Sequence, residues 1–419
     1  MAGGLLRIAV VAGISAVVLA GCGRDGGTAS PAKSSSSSKP PAVDLSTLDT
    51  GKYLTLPRRL GQVASEEEGR MAEAIRMAEA LADLTKVDPT FAKDIERQPL
   101  VSPSDVANII SFTDQAVVQP VLVKYGMIAG HVVQGSSAKM DSGAQPAEDY
   151  KAVVLMLVRF ADEASARNAA VEMDAVDFAV SPENVPVPVT KYPAAHGHWR
   201  PSNPTMASTL AHGDFVIHVI AANPTPNLET LTGMVATTFD KEIAALDRFQ
   251  PTPVNQIGKL SKDPDGLLGR LVDLTPGTEP SLSKSVASYG PNGAATTQNE
   301  RQIKDRVYEN AGVDRLAIWL DPKLGGSSIF RARDRDAAVK LMDALVSTDD
   351  TIDHPIDGVR GLPDAKCFAE TQETFKDAAG LRFECYVTYD RYVAGVASGD
   401  EADVRQRAAA QYALLVNPL

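Results

Sequence analysis

Histidine offers the one constellation of side chains in this sequence that could do chemistry. Six histidines occur in all, and His196, His198, His212 and His218 fall close together. If the segment from His196 to Arg200 is a strand, His196 and His198 share a face, because side chains alternate along a strand. A turn centred near Thr205 would then set His198 opposite His212, with His218 further along the returning strand. Three imidazoles gathered this way resemble the ligand set of a zinc site, which takes nitrogen, sulfur or carboxylate donors at tetrahedral spacing. The neighbouring residues argue against a metal. His212 starts its strand beside Gly213, His218 lies in the apolar run Phe215-Val-Ile-His-Val-Ile-Ala221, and no Cys or Asp sits at ligand spacing. The expectation is ordinary strand histidines, with no metal and no cofactor.

Nucleophilic chemistry is no better marked. Ser136 and Lys139 have the S-x-x-K spacing of penicillin-binding enzymes, but the same spacing recurs at Ser30, Ser36 and Ser281, and neither S-D-N nor K-T-G accompanies it. Ser136 therefore reads as a solvated loop serine. The sequence has no G-x-S-x-G elbow, phosphate-binding loop, H-E-x-x-H or EF-hand. The acidic run Asp349 to Asp357 lacks the alternating oxygen ligands of a calcium loop. No catalytic residue is assigned.

The three cysteines are more informative. Cys22 follows Leu19-Ala20-Gly21, and before it Arg7 precedes an apolar stretch, Ile8 to Ala20, interrupted only by Gly13 and Ser15. That stretch is short of the roughly 20 residues needed to span a bilayer and has the layout of a cleaved export signal. The segment looks like a lipobox. In the bacterial lipoproteins that it resembles, this thiol is diacylated, and two acyl chains anchor a protein stably where one would not. The reading is a signal peptide over 1–21, then the lipidated Cys22 and a Ser/Pro/Gly tether over 22–44, with the protein held to the cell membrane on its extracytoplasmic side. In that oxidising setting Cys367 and Cys385 form an even pair. Turn residues Lys376, Asp377 and Gly380 lie between them, so a hairpin would set the two cysteines face to face, and a disulfide is expected. The formal charge of -12 disfavours nucleic acid as a partner, since that needs basic surface.

The elements that must position these residues come in two similar sets. Ser65 and Glu68 form a capping box, followed by Met71, Ala74, Ile75, Ala78, Leu81 and Ala82 at helical spacing. The other side of this helix, rich in Glu and Arg, reads as solvated. Further on, Val121 to Gly126 corresponds to Arg306 to Gly312, and RFADEASARNAA corresponds to RARDRDAAVKLM. Each copy continues through a hairpin to a closing helix, Leu228 to Phe249 in one and Glu401 to Leu415 in the other. Each unit thus reads αββαββα. The expected class is α+β, two tandem, weakly duplicated ferredoxin-like units over 45–250 and 251–419, with antiparallel sheets covered by helices. Trp199 and Trp319 fall in strands of opposite copies and read as core residues. The stretch from Tyr289 to Gln298 reads as a loop.

The order of export signal, tether, the opening Val43-Asp44-Leu-Ser-Thr-Leu-Asp-Thr-Gly51-Lys-Tyr53, and two αβ units resembles an uncharacterised envelope lipoprotein family of mycobacteria and their nocardial relatives. The resemblance implies envelope location in an actinobacterium and carries no activity or site residue with it. The expected function is therefore a non-enzymatic binding or accessory protein whose partner is an envelope protein, lipid or glycan. An envelope hydrolase with an unfamiliar site is the alternative, and it would need nucleophile, base and orienting group to converge.

Overall fold

The structure is a computed structural model that describes residues 43–92, 94–110, 115–138, 149–294, 301–348, 354–369 and 383–419. Cys22, Lys139 and the turn at Lys376-Asp377 lie outside them.

The first unit opens with helix α1 (Glu66–Arg76). Ser65 caps it by accepting from the Glu68 amide at 3.1 Å, and the Glu68 carboxylate reaches back to the Ala64 amide at 2.6 Å. Strand β1 (Asp94–Leu100), helices α2 (Pro103–Ile110) and α3 (Gln115–Lys124), and strands β2 (Ala129–Ser136) and β3 (Ala152–Arg159) follow. Then come α4 (Glu163–Phe178), strands β4 (Val185–Pro186), β5 (His196–Trp199), β6 (Thr205–His212) and β7 (Phe215–Ala222), and α5 (Leu228–Leu246). The second unit repeats the series: β8 (Val286–Tyr289), α6 (Pro291–Ala294), α7 (Arg301–Ala311), β9 (Arg315–Asp321), β10 (Gly325–Arg331) and α8 (Arg335–Thr348). It closes with β11 (His354–Ile356), β12 (Lys366–Ala369), β13 (Phe383–Tyr389), β14 (Tyr392–Ser398) and α9 (Glu401–Val416).

The duplication is structural. One seven-stranded sheet runs β1-β2-β3-β7-β6-β5-β4, and the other, read from its opposite edge, runs β8-β9-β10-β14-β13-β12-β11, all pairs antiparallel. Local hydrogen bonds repeat as well. Gly126 and Gly312 both end their helices with positive φ, 69° and 59°, a conformation that glycine adopts without strain. After them the Met127 amide donates to Leu122 O and the Val313 amide to Tyr308 O. The Ile128 amide donates to Arg159 O and the Asp314 amide to Arg331 O. Asp162 and Asp334 cap α4 and α8 by accepting from the Ser165 and Ala337 amides at 2.7 and 2.8 Å. Position 126 therefore answers to 312, and positions 159 to 172 answer to 331 to 344.

Each sheet has more strands than the two hairpins read from sequence. β1 and β6 were missed because DIERQPL and TMASTLAH carry only two large apolar residues each, Ile95 and Leu100 and Met206 and Leu210, and lack a clean period of two. β4 and β11 are edge strands of two and three residues that contain Pro186 and Pro355, where a residue without an N–H is tolerated. The Tyr289 to Gln298 stretch, read as a loop, begins with the end of β8 and helix α6 among the described residues.

Both faces of both sheets are covered. In the first unit Leu155, Leu157, Ile217 and Val219 pack under Leu231, Val235 and Phe239 of α5. On the other face Val154, Met156 and Val158 pack under α3 and α4 through Leu122, Ala166 and Met173. In the second unit α9 covers Ile329, Val387 and Val396, joined by Leu48, Tyr53 and Leu60 from the segment before α1. Leu45, Leu48, Tyr53 and Leu60, within the 45–250 span read from sequence as the N-terminal unit, thus pack on the C-terminal core. Trp199 and Trp319 are half-buried against these cores.

Cys367 and Cys385 are directly opposed across β12 and β13 and form a disulfide, with Cα atoms 4.1 Å apart. That spacing belongs to the closer, non-hydrogen-bonded kind of antiparallel pair. The bond closes a loop of 18 residues, and on the chain-entropy model such a closure stabilises by about 3 kcal/mol. Denaturant unfolding of the Cys367→Ala, Cys385→Ala double variant should show that loss; an unchanged midpoint would contradict a stabilising bond.

Candidate functional site

The structure disperses the four histidines read as possible metal ligands. The turn at 200–204 leads into β6 and not straight into the strand that carries His218, so β5, β6 and β7 form a three-stranded meander and His198 faces Ala207, not His212. An intervening strand that the sequence concealed causes this correction. His212, at the far end of β6, donates from Nε2 to Asp247 Oδ1 at 2.8 Å on the surface. His196 pairs with Thr209, and Thr209 pairs with His218. The Thr209 hydroxyl is hydrogen-bonded to His218 Nδ1 at 2.8 Å. Burial pushes His218 down to about 4, so its ring is neutral at physiological pH. Among the described residues no three His, Cys, Asp or Glu side chains are grouped to hold a metal ion.

His198 has the partners that spacing alone did not reveal. Its Nδ1 donates to Asp174 at 3.0 Å, and Nε2 lies 3.3 Å from Asp177. The Phe178 ring packs edge-on against the imidazole. Burial opposes the ring's charge, but the hydrogen bonds to Asp174 and then Asp177 outweigh it, and the pKa is pushed up to about 9. Both acids sit in the last turn of α4, where the helix dipole disfavours negative charge unless a cation answers it. An acid pair at i and i+3 closing a helix without Lys or Arg was the signal available in the sequence. The resulting imidazolium clamp ties the end of α4 to β5.

Other buried ionisable groups are likewise held within the protein. Glu73, fully buried on the side of α1 that the sequence suggested was solvated, pairs with Arg159 at 2.6 Å and Arg76 at 2.5 Å. It also accepts from the Thr252 amide at 3.0 Å and the Thr252 hydroxyl at 2.7 Å. Glu242 of α5 accepts from the Ala82 amide at 2.7 Å. Burial, offset only in part by that bond and by the Arg97 charge, pushes Glu242 up to about 8. His131 Nδ1 donates to Ala74 O at 2.7 Å, and burial, reinforced by Arg97, lowers its pKa to about 3. Ser136, read as a solvated loop serine, instead ends β2 fully buried and donates to Ala138 O at 2.7 Å.

Among the described residues, two of the openings in the surface are of a size to note. One, of about 390 Å³, lies at the start of α1 between Glu68, Lys262, Met71 and Leu282. The larger, of about 540 Å³, runs between α7 and α8. Val307, Ala311, Ala337 and Leu341 make its apolar floor, and Arg333 and Lys340 stand on its edge.

Two family models match the chain, a domain of unknown function named DUF7373, N-terminal part, over residues 60–262, and its C-terminal part over residues 267–418. The chain belongs to the DUF7373 family. These two matched segments contain the two seven-stranded sheets. Among solved structures, DUF7373 as represented here is similar to the extracellular domain of PknH from Mycobacterium tuberculosis. Identity is 16% and the TM-score 0.26, over 44% of this chain and 98% of that one. No curated protein matches.

The His198 clamp gives this DUF7373 chain a pH signature. A folded pKa of about 9, above the ordinary histidine value of 6.5, means that the clamp stabilises fully below pH 6.5 and is lost as pH rises through 9. The loss should be on the order of 3 kcal/mol. Glu242 acts in the same direction between the ordinary carboxyl value of 4.5 and about 8, so the wild type should be compared with His198→Gln. Chemical denaturation from pH 6 to 10 should give curves that converge toward alkaline pH; a constant separation would refute the charged clamp.

Proposed function

We propose that this DUF7373 protein is a lipid-anchored envelope protein that binds a partner and does not transform a substrate. The observation that carries the reading is the α7–α8 groove. Its volume is about 540 Å³, its floor is apolar, and its edge carries exposed charge of both signs, features that ligand-binding clefts share. The strongly shifted groups Glu242, His131, His198 and His218 lie in interiors or under helix ends and serve packing. The Cys367–Cys385 disulfide supports an oxidising compartment. Among the described residues no helix is long and apolar enough to cross a membrane, and the anchor is assigned to Cys22 from the sequence.

The lipobox reading supports an anchor on the extracytoplasmic side of the cell membrane, and the family resemblance supports an actinobacterial host. The partner class is an envelope protein, lipid or glycan. Because the mature chain is acidic, no electrostatic attraction to anionic headgroups replaces the acyl chains. Detergent phase partitioning of Cys22→Ala expressed in an actinobacterial host should move the protein from the detergent to the aqueous phase. Retention of the variant in salt-washed membranes would overturn the anchor.

A further inference from the structure

The two units differ at one place where their correspondence is exact. In the first unit the gap between α3 and α4 is closed by three side chains. Glu172 on α4 accepts from the Lys124 amine at 2.5 Å and from the Tyr125 hydroxyl at 2.6 Å, and the same amine lies 4.8 Å from the centre of the Tyr125 ring. In the second unit position 124 becomes Asn310, position 125 becomes Ala311 and position 172 becomes Ala344. All three replacements line the α7–α8 groove. The groove is therefore the space left by a phenol ring, a carboxylate arm and a lysine stem that the first copy keeps and the second lacks.

What has been removed shows what fits. A cation is still present, moved to the other helix: Lys340 stands four residues before Ala344 on α8, so the two share a helix face. Its counterpart in the first unit is Asn168. Lys340 is exposed and makes no hydrogen bond or close ion pair among the described residues, although its charge helps to hold the Asp334 carboxyl below the usual carboxylate range. The groove also holds two acids, and Asp336 stands four residues before Lys340 on the same helix. Asp334 caps α8 and pairs with Arg333 at 3.2 Å, and Asp336 lies in the first turn. A carboxylate entering beside Ala344 would meet Lys340, as Glu172 meets Lys124.

We propose that the α7–α8 groove docks a segment of another envelope protein that presents an aromatic side chain next to a carboxylate. The ring occupies the volume over Ala311 that Tyr125 fills in the first unit, and the carboxylate pairs with Lys340. This rests on the reading of the chain as a binding protein and names the site and the ligand chemistry.

Fluorescence anisotropy with a labelled pentapeptide, Glu-Tyr-Glu-Phe-Glu, tests it on the full chain. The peptide should bind saturably to the wild type, and versions with Lys for Glu or Ala for the aromatics should bind at least tenfold more weakly. Asn310→Lys, Ala311→Tyr and Ala344→Glu together should restore the first unit's closure and weaken binding at least tenfold, with a melting temperature no lower than that of the wild type. Lys340→Glu changes one exposed charge and keeps the fold, so it decides the matter if the triple variant fails to fold; it should weaken binding at least fivefold. No binding to the wild type, equal binding by Lys340→Glu, or displacement of the peptide by palmitate as the better ligand would overturn the proposal. None of these outcomes bears on the Cys22→Ala partitioning, so a failed groove is distinguishable from a failed anchor.

Discussion

Helix α1 and the turn that follows it belong to two cores at once, and the architecture depends on that. Ala74, Met77, Ala80 and Leu81 pack into the first unit's core, whereas Ile75 and Ala78, on the adjoining stripe, pack with Ala287, Tyr289 and Leu316 of the second. A helix apolar over so wide an arc must be covered on both sides. Glu73 fixes its rotation. Its carboxylate, buried between the Arg159 guanidinium and Thr252, cannot turn toward solvent without taking from the buried Arg159 one of its two carboxylate partners, the other being Asp214 at 3.1 Å. The contacts continue past the helix. Glu79 accepts from the amides of Asn292 and Gly293 at the start of α6, at 3.1 and 2.6 Å.

A second strut works from the opposite direction. The segment before α1 lies on the C-terminal core, where the Tyr53 hydroxyl donates to Asp403 at 2.6 Å and accepts from Arg407 Nε at 3.0 Å. Arg407 also donates to the carbonyls of Leu324 and Ala397 at 2.7 and 2.9 Å, so a buried cation is satisfied from β14, α9 and the β9–β10 turn together. The chain therefore enters on the second unit, crosses through α1 to build the first, and returns. Duplicated sheets joined this way need not keep identical surfaces, because apart from the shared α1 each copy's faces are covered by its own helices. That freedom allows α3–α4 to be bridged while α7–α8 stays open.

The α+β class, the tandem duplication and the disulfide were legible in the sequence because each leaves a local mark. Repeated strand-to-helix junctions such as RFADEASARNAA and RARDRDAAVKLM, the capping Asp162 and Asp334, and two cysteines placed evenly about a turn are all patterns within a few residues of one another. What was missed depended on long-range pairing. β6 has small and polar residues and is held by neighbours on both sides, so its own period said little, and overlooking it displaced His198 from its true partner. Glu73 reads as a surface acid until Arg159, far along the chain, is folded against it. The α7–α8 groove was invisible for a related reason. It is defined by what Asn310, Ala311 and Ala344 lack relative to the first copy, and that comparison needs the structural register.

If α1 and the entering segment bind the two units into one cooperative body, unfolding should be all-or-none. Differential scanning calorimetry of the full chain is the direct measurement. The account predicts a single endotherm whose calorimetric and van 't Hoff enthalpies agree. Two separable transitions, one for each unit, would contradict it.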